Sequence, residues 1–479
     1  NSYYHEYYSA ANFALEGYRD LISASEYMGA ENLRREKTLN SFFMNAEYDY
    51  LSKYYLSGSI RRDGASTFGA NNRWGTFWSI GGKWRLSEEK FMESAKNYLS
   101  NFSLRASYGS VGNSDTEDWY ASRGFYSFGF NYNNQPGMRP TSVENKDLGW
   151  ETTYKFDVGF DALLFNRINI TFDYFDQRTK DLLFPVPVSM TTGLSTYMKN
   201  IGEMKNSGIE LGVNANVFKN SDWNITMYAN LTSARNKVTK TPNGEDVVPN
   251  SVTLTQVNRS NYAIIREGYS FYSFYLREWA GVDSATGKPL WYKEDGTTTS
   301  NYNEADRRMV GNADPNIYGG FGFNVSFKGF DLGADFTYSQ GNKVYGDGLR
   351  FDLQVGNDKY GNVTQYVYKN AWTPENTNTN VPRFVYGDNS GANNHSTRFL
   401  MDGSYLRLQT LTLGYNLPKP LLSKIYLSNI RLYASVDNLF TITADDYLGF
   451  DPAVTNRGGG QAWVYPTSRT FTFGLNIGF

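Results

Sequence analysis

The stretch "RTFTFGLNIGF" (residues 469–479) alternates with a period of two. Phe471, Phe473, Leu475, Ile477 and Phe479 fall on one side, and Thr472, Gly474, Asn476 and Gly478 fall on the other. This is the pattern of a strand with one apolar and one polar face. Chain ends usually fray unless a sheet holds them. A strand that runs to a bare terminal Phe therefore asks for a sheet that incorporates it.

The same alternation recurs along the chain. In "YKFDVGFDALLF", Tyr154, Phe156, Val158, Phe160, Ala162 and Leu164 alternate with Lys155, Asp157, Gly159 and Asp161. "INITFDYF" places Ile168, Ile170, Phe172 and Tyr174 opposite Asn169, Thr171 and Asp173. "SGIELGVNANVF" sets Ile209, Leu211, Val213, Ala215 and Val217 against Glu210, Gly212, Asn214 and Asn216. "IRLYASVDN" sets Ile430, Leu432, Ala434 and Val436 against Arg431, Tyr433, Ser435 and Asp437. In "YLRLQTLTLGYNL" the parity switches between Leu408 and Leu411, which predicts a bulge near Thr410.

Fifteen strands are expected, at 37–51, 53–62, 74–86, 99–112, 150–164, 166–179, 205–217, 222–238, 251–266, 269–280, 315–327, 329–341, 403–417, 429–438 and 468–479. The connections alternate between short (near 52, 87–98, 165, 218–221, 267–268, 328 and 418–428) and mostly long (63–73, 113–149, 180–204, 239–250, 281–314, 342–402 and 439–467). In an up-and-down antiparallel sheet, successive connections lie at opposite ends. One end thus carries tight turns and the other large loops, which is the layout of a transmembrane β-barrel with short periplasmic turns and long extracellular loops. The strand at 251–266 is supported by this alternation, since without it the long gaps would change ends halfway. A soluble sandwich or propeller also alternates, but its loops do not segregate by length and it rarely needs such long strands. Residues 1–36 have apolar spacing nearer a helix and read as an extracellular loop segment, leaving 37–479 as the barrel part.

Composition narrows the function. Of 479 residues, 17% are aromatic and 20% charged, with a formal net charge of −2. That balance offers no basic face for nucleic acid. Cysteine is absent, which removes disulfides, thiolate nucleophiles and Cys-ligated metals. No apolar run reaches the ~18–20 residues of a transmembrane helix.

Several stretches resemble the SusC/RagA group of TonB-dependent outer-membrane transporters of Bacteroidetes: "YYLSGSIRRDGASTFGANNRWGTFWSIGGKWRLSEEKFM" (54–92), "LSNFSLRASYGSVGN" (99–113), "ENKDLGWETTYKFDVGFDALLFNRINITFDYFDQRTKDLLF" (144–184), "NIGEMKNSGIELGV" (200–213), "RRMVGNADPNIYGGFGFNVSFKGFDL" (307–332), "DGSYLRLQTLTLGYNLP" (402–418) and "IRLYASVDNLFTITADDYLGFDPAV" (430–454). The resemblance implies a 22-strand barrel of which these are about the last fifteen strands. It also implies an N-terminal plug and TonB box that this sequence does not show, coupling to the TonB complex through that part, and a SusD-like surface lipoprotein as partner. Phe479 matches the terminal Phe read by the barrel-assembly machinery. The implied activity is import of an oligosaccharide or oligopeptide across the outer membrane, with no cofactor. A passive diffusion porin and a barrel enzyme are the competing classes.

Chemistry-bearing motifs are few. There is no G-x-S-x-G, Walker or H-E-x-x-H pattern. His395 has Asp388 and Asp402 nearby in sequence, a conceivable general-base pair, but a loop histidine without such a role is the expectation. "VDSATGKPLWYKEDG" (282–296) lacks calcium-loop spacing and reads as a hairpin. Recognition remains. Trp119, Tyr120, Phe125, Tyr126, Trp372 and Trp463 lie in aromatic- and amide-rich loops suited to sugar rings or peptides. Parity assigns Asp157, Asp161, Asp173, Glu210, Arg407, Arg431 and Asp437 to the lumen, because charges facing lipid are costly, while the apolar positions face outer-membrane lipid.

Overall fold

The computed structural model describes residues 2–13, 24–116, 118–128, 130, 132–133, 135, 137–189, 191, 193–194, 196–249, 259–422, 426–455, 458–462 and 464–479. Thirteen strands form one antiparallel sheet, each bonded to its neighbour in chain order. They are β1 (Leu39–Tyr50), β2 (Tyr54–Ala65), β3 (Trp74–Arg85), β4 (Leu99–Asn113) and β5 (Glu151–Leu164). Next come β6 (Ile168–Pro187), β7 (Thr196–Lys219), β8 (Trp223–Lys240) and β9 (Ile317–Phe327). Then follow β10 (Phe330–Gln340), β11 (Tyr405–Asn416), β12 (Asn429–Thr443) and β13 (Thr470–Gly478). Among the described residues no pairing joins β13 to β1, so both stand at edges of the sheet.

In-register pairing gathers the apolar positions on one surface. Leu104, Phe160, Phe172, Leu211 and Leu231 form a row across β4 to β8. Met227, Phe323, Ala334, Leu411, Val436 and Phe471 form another across β8 to β13. Many of these side chains are exposed, Phe473 at 80% among them. A soluble monomer rarely exposes a continuous apolar belt larger than a few hundred Å². Aromatic pairs mark the belt's limits. Trp223 stacks on Phe327 at 4.1 Å, and Phe330 packs against Tyr415 with tilted rings at 4.3 Å, beside the tight turns. Near the loop end, Trp78 meets Tyr108 at 5.6 Å and Phe42 meets Trp74 at 6.3 Å. Such girdles sit where a bilayer meets water.

Tight connections occupy one end. Leu51 and Ser52, Phe165 and Asn166, and Lys328 and Gly329 all have positive φ. Two consecutive positive φ values make the type I′ turn, whose twist matches that of the flanking strands. The bulge expected near Thr410 is present as a register shift between Leu408 and Thr410.

Two expected strands are not in the sheet. Of 251–266, residues 251–258 lie outside the described residues, and Arg259–Asn261 form a 3₁₀ turn. Within 269–280, Ser273–Arg277 pairs with Arg307–Asn312 in a separate two-stranded sheet, and Trp279 opens another strand, Trp279–Val282, that pairs with Pro289–Tyr292. β8 pairs directly with β9, from Trp223 opposite Phe327 to Thr232 opposite Tyr318. Residues 241–316 are therefore one excursion. Removing a single strand would have shifted the long loops to the other end, but removing two together preserves parity. The alternation at 273–277 reports burial in a loop core, where Phe274 and Leu276 are fully buried.

The helix-like spacing of residues 1–36 also does not hold. Ser2–Phe13 and Ala24–Glu36 pair as antiparallel strands in a sheet of their own. Tyr-rich segments favour strands once a pairing partner is available, and a short helical period is a weaker signal.

The described residues of the long loops 241–316, 341–404 and 444–469 fold together as a cap. Its core includes Tyr262, Phe274, Leu276, Tyr345, Val355, Val367 and Phe399. Tyr262 stacks on Tyr345 at 4.4 Å, and Tyr345 pairs with Gly460 of the third loop. Each buried Phe, Leu or Val contributes about 1.5–3 kcal/mol, enough in sum to hold the loops as a folded unit. The segment 282–296 forms the expected hairpin, with Val282 opposite Pro289.

The motifs that carry the resemblance meet at the loop-side rim. Asn71 donates to Asp147 Oδ1 at 2.7 Å, and Asn72 to the Asp147 carbonyl at 2.6 Å. Trp150 Nε1 donates to the Arg73 carbonyl at 3.1 Å. Asn200 accepts from Gly149 N at 2.8 Å and returns a bond to its carbonyl at 2.9 Å. A β-carbon at Gly69 would lie 2.2 Å from the Lys146 carbonyl, so only glycine admits this approach. The repeated glycines and tryptophans of these motifs thus close a rim around Ala65, Phe68, Phe77 and Trp150.

Opposite faces of β13 should tolerate charge differently. Leu475→Arg on the belt should cost ~2–4 kcal/mol or block assembly, while Asn476→Arg should be accommodated. Heat-modifiable migration of the folded band on gels reads both, and equal tolerance would reject the membrane-facing assignment of the belt.

Candidate functional site

The face opposite the belt is polar, and its charges are organised across the strands. Arg105 of β4 and Asp173 of β6 stand on either side of Gly159 of β5. Their side chains meet over it at 2.7 Å, and Asp161 lies 3.4 Å from the same guanidinium. A β-carbon at Gly159 would come within 2.2 Å of the Asp173 carboxylate. The device repeats. Tyr228 hydrogen-bonds Asp335 across Gly322. Arg431 and Asp331 join at 2.5 Å over Gly414, where a β-carbon would lie 2.5 Å from Asp331. Mid-strand glycine usually weakens a strand. Here it opens the path by which side chains of alternate strands pair or hydrogen-bond with one another.

The other charges selected by parity differ in their surroundings. Glu210 stands in register with Asp173, a like-charged pair that Arg105 offsets from the far side. Asp157 lies in register with Ser107. Asp437 accepts from Thr410 Oγ1 at 3.0 Å. Arg407 is on the same face but is not open to a passing solute. It is buried beneath loop 444–469, ion-paired with buried Asp451 and bonded to Thr441 at 3.0 Å. Asp451 also accepts from Thr467 N and Oγ1, at 3.1 and 2.6 Å. Arg407 thus ties the cap to the wall.

The loop aromatics fall into separate places. Tyr120 packs edge-on against Phe125 at 6.0 Å, and the Arg123 guanidinium lies 5.2 Å from its ring. Phe125 and Tyr126 are exposed, in a strand paired with Met138–Ser142. Trp119 is half-buried beside them. Trp372 belongs to another loop; its indole donates to the Ser284 carbonyl at 3.0 Å and lies against Gly287. Trp463 lies outside the described residues. Phe479 follows the last residue of β13 and is exposed.

A cleft of about 560 Å³ lies where the polar face meets the cap. Asn206, Asn236, Asp314, Tyr318, Ser339 and Tyr405 line it. Asn236 donates to Asn206 Oδ1 at 2.6 Å and accepts from Phe271 N at 2.7 Å, binding wall to cap. Ser270 donates to Asp314. Burial raises the Asp314 carboxyl above its ordinary range. Amides, hydroxyls, a carboxyl and two phenols suit a neutral, hydroxyl- or amide-rich solute. Parity alone could have assigned Asn206 and Asn236 to this face. Their convergence with Asp314 depends on the path of the cap.

His395 does not pair with either aspartate near it in sequence. Asp388 bonds Ser390, and Asp402 bonds Ser404 and Lys343. His395 Nδ1 instead meets the Tyr345 hydroxyl at 2.8 Å and lies 3.8 Å from Asp347. Burial, aided by Arg350, lowers its pKa to about 4.

An antiparallel wall with an apolar outer belt, a polar inner face and capped loops at one end is that of a transmembrane β-barrel of the outer membrane. The chain belongs to the TonB dependent receptor-like β-barrel family, whose model matches residues 2–357. It is similar to TonB-dependent receptor P3 of Formosa agariphila, at 34% identity over 96% of this chain and 48% of that protein. It is also similar to TonB-dependent receptor SusC of Bacteroides thetaiotaomicron, at 29% identity over 92% and 44%. Among solved structures it resembles the RagAB peptide transporter, with TM-score 0.84 and 30% identity, over 100% of this chain and 52% of that chain. The chain thus spans about half the length of the curated relatives it matches.

Two outcomes test the site. Gly159→Val should displace Asp173 from Arg105 and cost about 1–3 kcal/mol. Gly58→Ala, whose nearest neighbour would be 3.8 Å away, should leave the thermal midpoint unchanged. A Gly159→Val midpoint equal to that of Gly58→Ala would show that the crossing pair is dispensable.

The second concerns acid. Burial in the cap lowers the pKa of His395 from its ordinary 6.5 to about 4. Its contribution is present above pH 6.5 and is lost as pH falls toward 4, because the unfolded state binds the proton first. Protease sensitivity of loop 341–404 should rise across that window and flatten in His395→Gln. An unchanged profile in the variant would assign the transition to other groups.

Proposed function

We propose that this chain forms wall and cap of a TonB-dependent importer that brings an oligosaccharide or oligopeptide across the outer membrane. The observation that carries this is the folded cap: the long loops share one core and close over the polar face, leaving a polar cleft at their junction. A capped wall suits gated, energised uptake better than free diffusion. In this reading Asp157, Asp161, Asp173, Glu210, Arg431 and Asp437 line the lumen. Trp119, Tyr120, Phe125, Tyr126 and Trp372 offer stacking surfaces to the solute on the cell surface. A SusD-like lipoprotein works above the cap, and coupling to TonB runs through parts of the whole protein beyond these residues. Residues 1–36 lie on the extracellular side, and Phe479 is the mark that the assembly machinery reads. The cleft's amides and phenols support both solute classes, so cargo is decided by experiment.

The test is growth and uptake. A strain deleted for the whole gene should lose growth on one class of substrate, glycan or oligopeptide, as sole carbon source. Asn236→Leu combined with Asp314→Leu, in protein that still assembles, should reduce uptake about tenfold or more, as expected when hydrogen-bonding positions turn apolar. Collapsing the proton-motive force should abolish wild-type uptake. Uptake that persists under that condition would support a passive channel and reject the importer.

A further inference from the structure

The apolar belt is indented at the tight-turn end of β2 to β5, on the side of the inner leaflet. Across β1 to β5 one outward row reads Tyr48, Leu56, Gly82, Ala106 and Val158. The next row toward the turns reads Tyr50, Tyr54, Trp84, Leu104 and Phe160. Gly82 and Ala106 thus stand abreast between Leu56 and Val158, with Trp84 and Leu104 on the turn side and Ile80 and Tyr108 on the other. A β-carbon at Gly82 would meet nothing nearer than the Tyr55 carbonyl at 3.8 Å, so packing of the wall does not demand glycine there. The small residues floor a groove of about 530 Å³ on the lipid-facing surface, walled by Leu56, Trp84, Leu104 and Val158.

A carboxylate stands at the foot of this groove. The connection from β3 to β4 makes two 3₁₀ turns, Leu86–Glu88 and Lys90–Ala95, with Glu89 between them. Glu89 accepts from the Tyr54 hydroxyl at 2.6 Å and from Trp84 Nε1 at 3.1 Å, and those two rings stack at 6.2 Å. Lys53 Nζ lies 3.5 Å from the same carboxylate. Charge on the lipid-facing side is costly unless it meets a partner. Here two aromatic residues of the belt's margin turn their polar edges to hold a carboxylate in place. An ionised carboxylate offers about four acceptor positions, so the Tyr54, Trp84 and Lys53 donors leave room for another. Lys90, the next residue, is exposed and makes no ion pair among the described residues. A held carboxylate beside a free ammonium, at the depth where headgroups meet the periplasm, is complementary to a zwitterion.

We propose that this groove binds an inner-leaflet phospholipid whose headgroup carries a primary ammonium, as in phosphatidylethanolamine. One acyl chain lies over Gly82 and Ala106, the ammonium donates to Glu89, and the phosphate meets Lys90. A choline headgroup has the positive charge but no N–H to donate. A glycerol headgroup has no cation. Glu89 therefore selects against both, while the groove takes the acyl chain of any of them.

The test uses the purified full-length protein, delipidated in detergent and examined by native mass spectrometry. The probes are phosphatidylethanolamine, phosphatidylcholine and phosphatidylglycerol of matched chain length. The wild-type protein should retain phosphatidylethanolamine over the other two by about tenfold or more, the worth of a hydrogen bond to a charged group. Glu89→Gln should lower that retention to the level of phosphatidylcholine and leave phosphatidylcholine itself unchanged. Gly82→Leu, which fills the groove from an outward position with open space around it, should reduce retention of all three lipids. The heat-modifiable gel band reports that each variant is folded. Equal retention of the three lipids by the wild-type protein, or a preference for phosphatidylglycerol, would overturn the site without recourse to a variant. A folded Glu89→Gln that keeps the preference, or that loses all three lipids alike, would overturn the role of Glu89 in reading the headgroup. A folded Gly82→Leu with unchanged retention would overturn the groove.

Discussion

Hydrocarbon offers a peptide group no hydrogen-bond partner, and everything else in this wall follows from that. Each unsatisfied N–H or C=O in the bilayer costs several kcal/mol. The chain meets the constraint by pairing thirteen strands continuously, strand against next strand. At the turns through Leu51–Ser52, Phe165–Asn166 and Lys328–Gly329, positive φ at both central residues keeps the twist matched and the ladder unbroken. The bulge at Leu408–Thr410 shifts the register of β11 against both β10 and β12, and the ladder resumes on each side. The edges at β1 and β13 are the places where the same rule demands a further partner.

Continuous pairing leaves side chains only two directions, and the two faces solve opposite problems. Outward positions carry Phe, Leu, Ile, Tyr and Trp because lipid has no use for charge. Inward positions carry charge that must still be balanced. Glycine at 159, 322 and 414 lets partners two strands apart reach each other. The sheet is thereby cross-tied on its wet side without relying on neighbouring strands alone. This costs some local strand propensity, which packing of the flanking strands offsets.

The loops are where the protein stops being periodic. Freed from the bilayer, the described residues of loops 241–316, 341–404 and 444–469 build an ordinary hydrophobic core with Tyr262, Phe274, Tyr345 and Phe399 at its centre. Arg407 and Asp451 then fasten that core to β11. Breaking one partner of such a buried pair strands a charge, typically at 3–5 kcal/mol. The cap is therefore held as firmly as it is folded. The cleft between Asn206, Asn236 and Asp314 exists only because cap and wall are registered this way.

The sequence by itself determined the wall. Period-2 alternation, long strands and loops segregated by length were enough to place all thirteen strands of the sheet among the fifteen expected, with their two faces and the end at which the large loops lie, because lipid on one side and water on the other act on every residue in turn. It also located the parity change near Thr410. Tertiary structure alone decided what alternation could not express. Residues 273–277 alternate like a membrane strand yet belong to the cap, since a buried loop core and a bilayer select the same apolar residues. Arg407 has lumen parity but lies covered, and His395 takes Tyr345 rather than the aspartates adjacent to it in sequence. Those outcomes depend on contacts between residues tens of positions apart, which a local pattern does not encode. Only the fold of the cap brings them together.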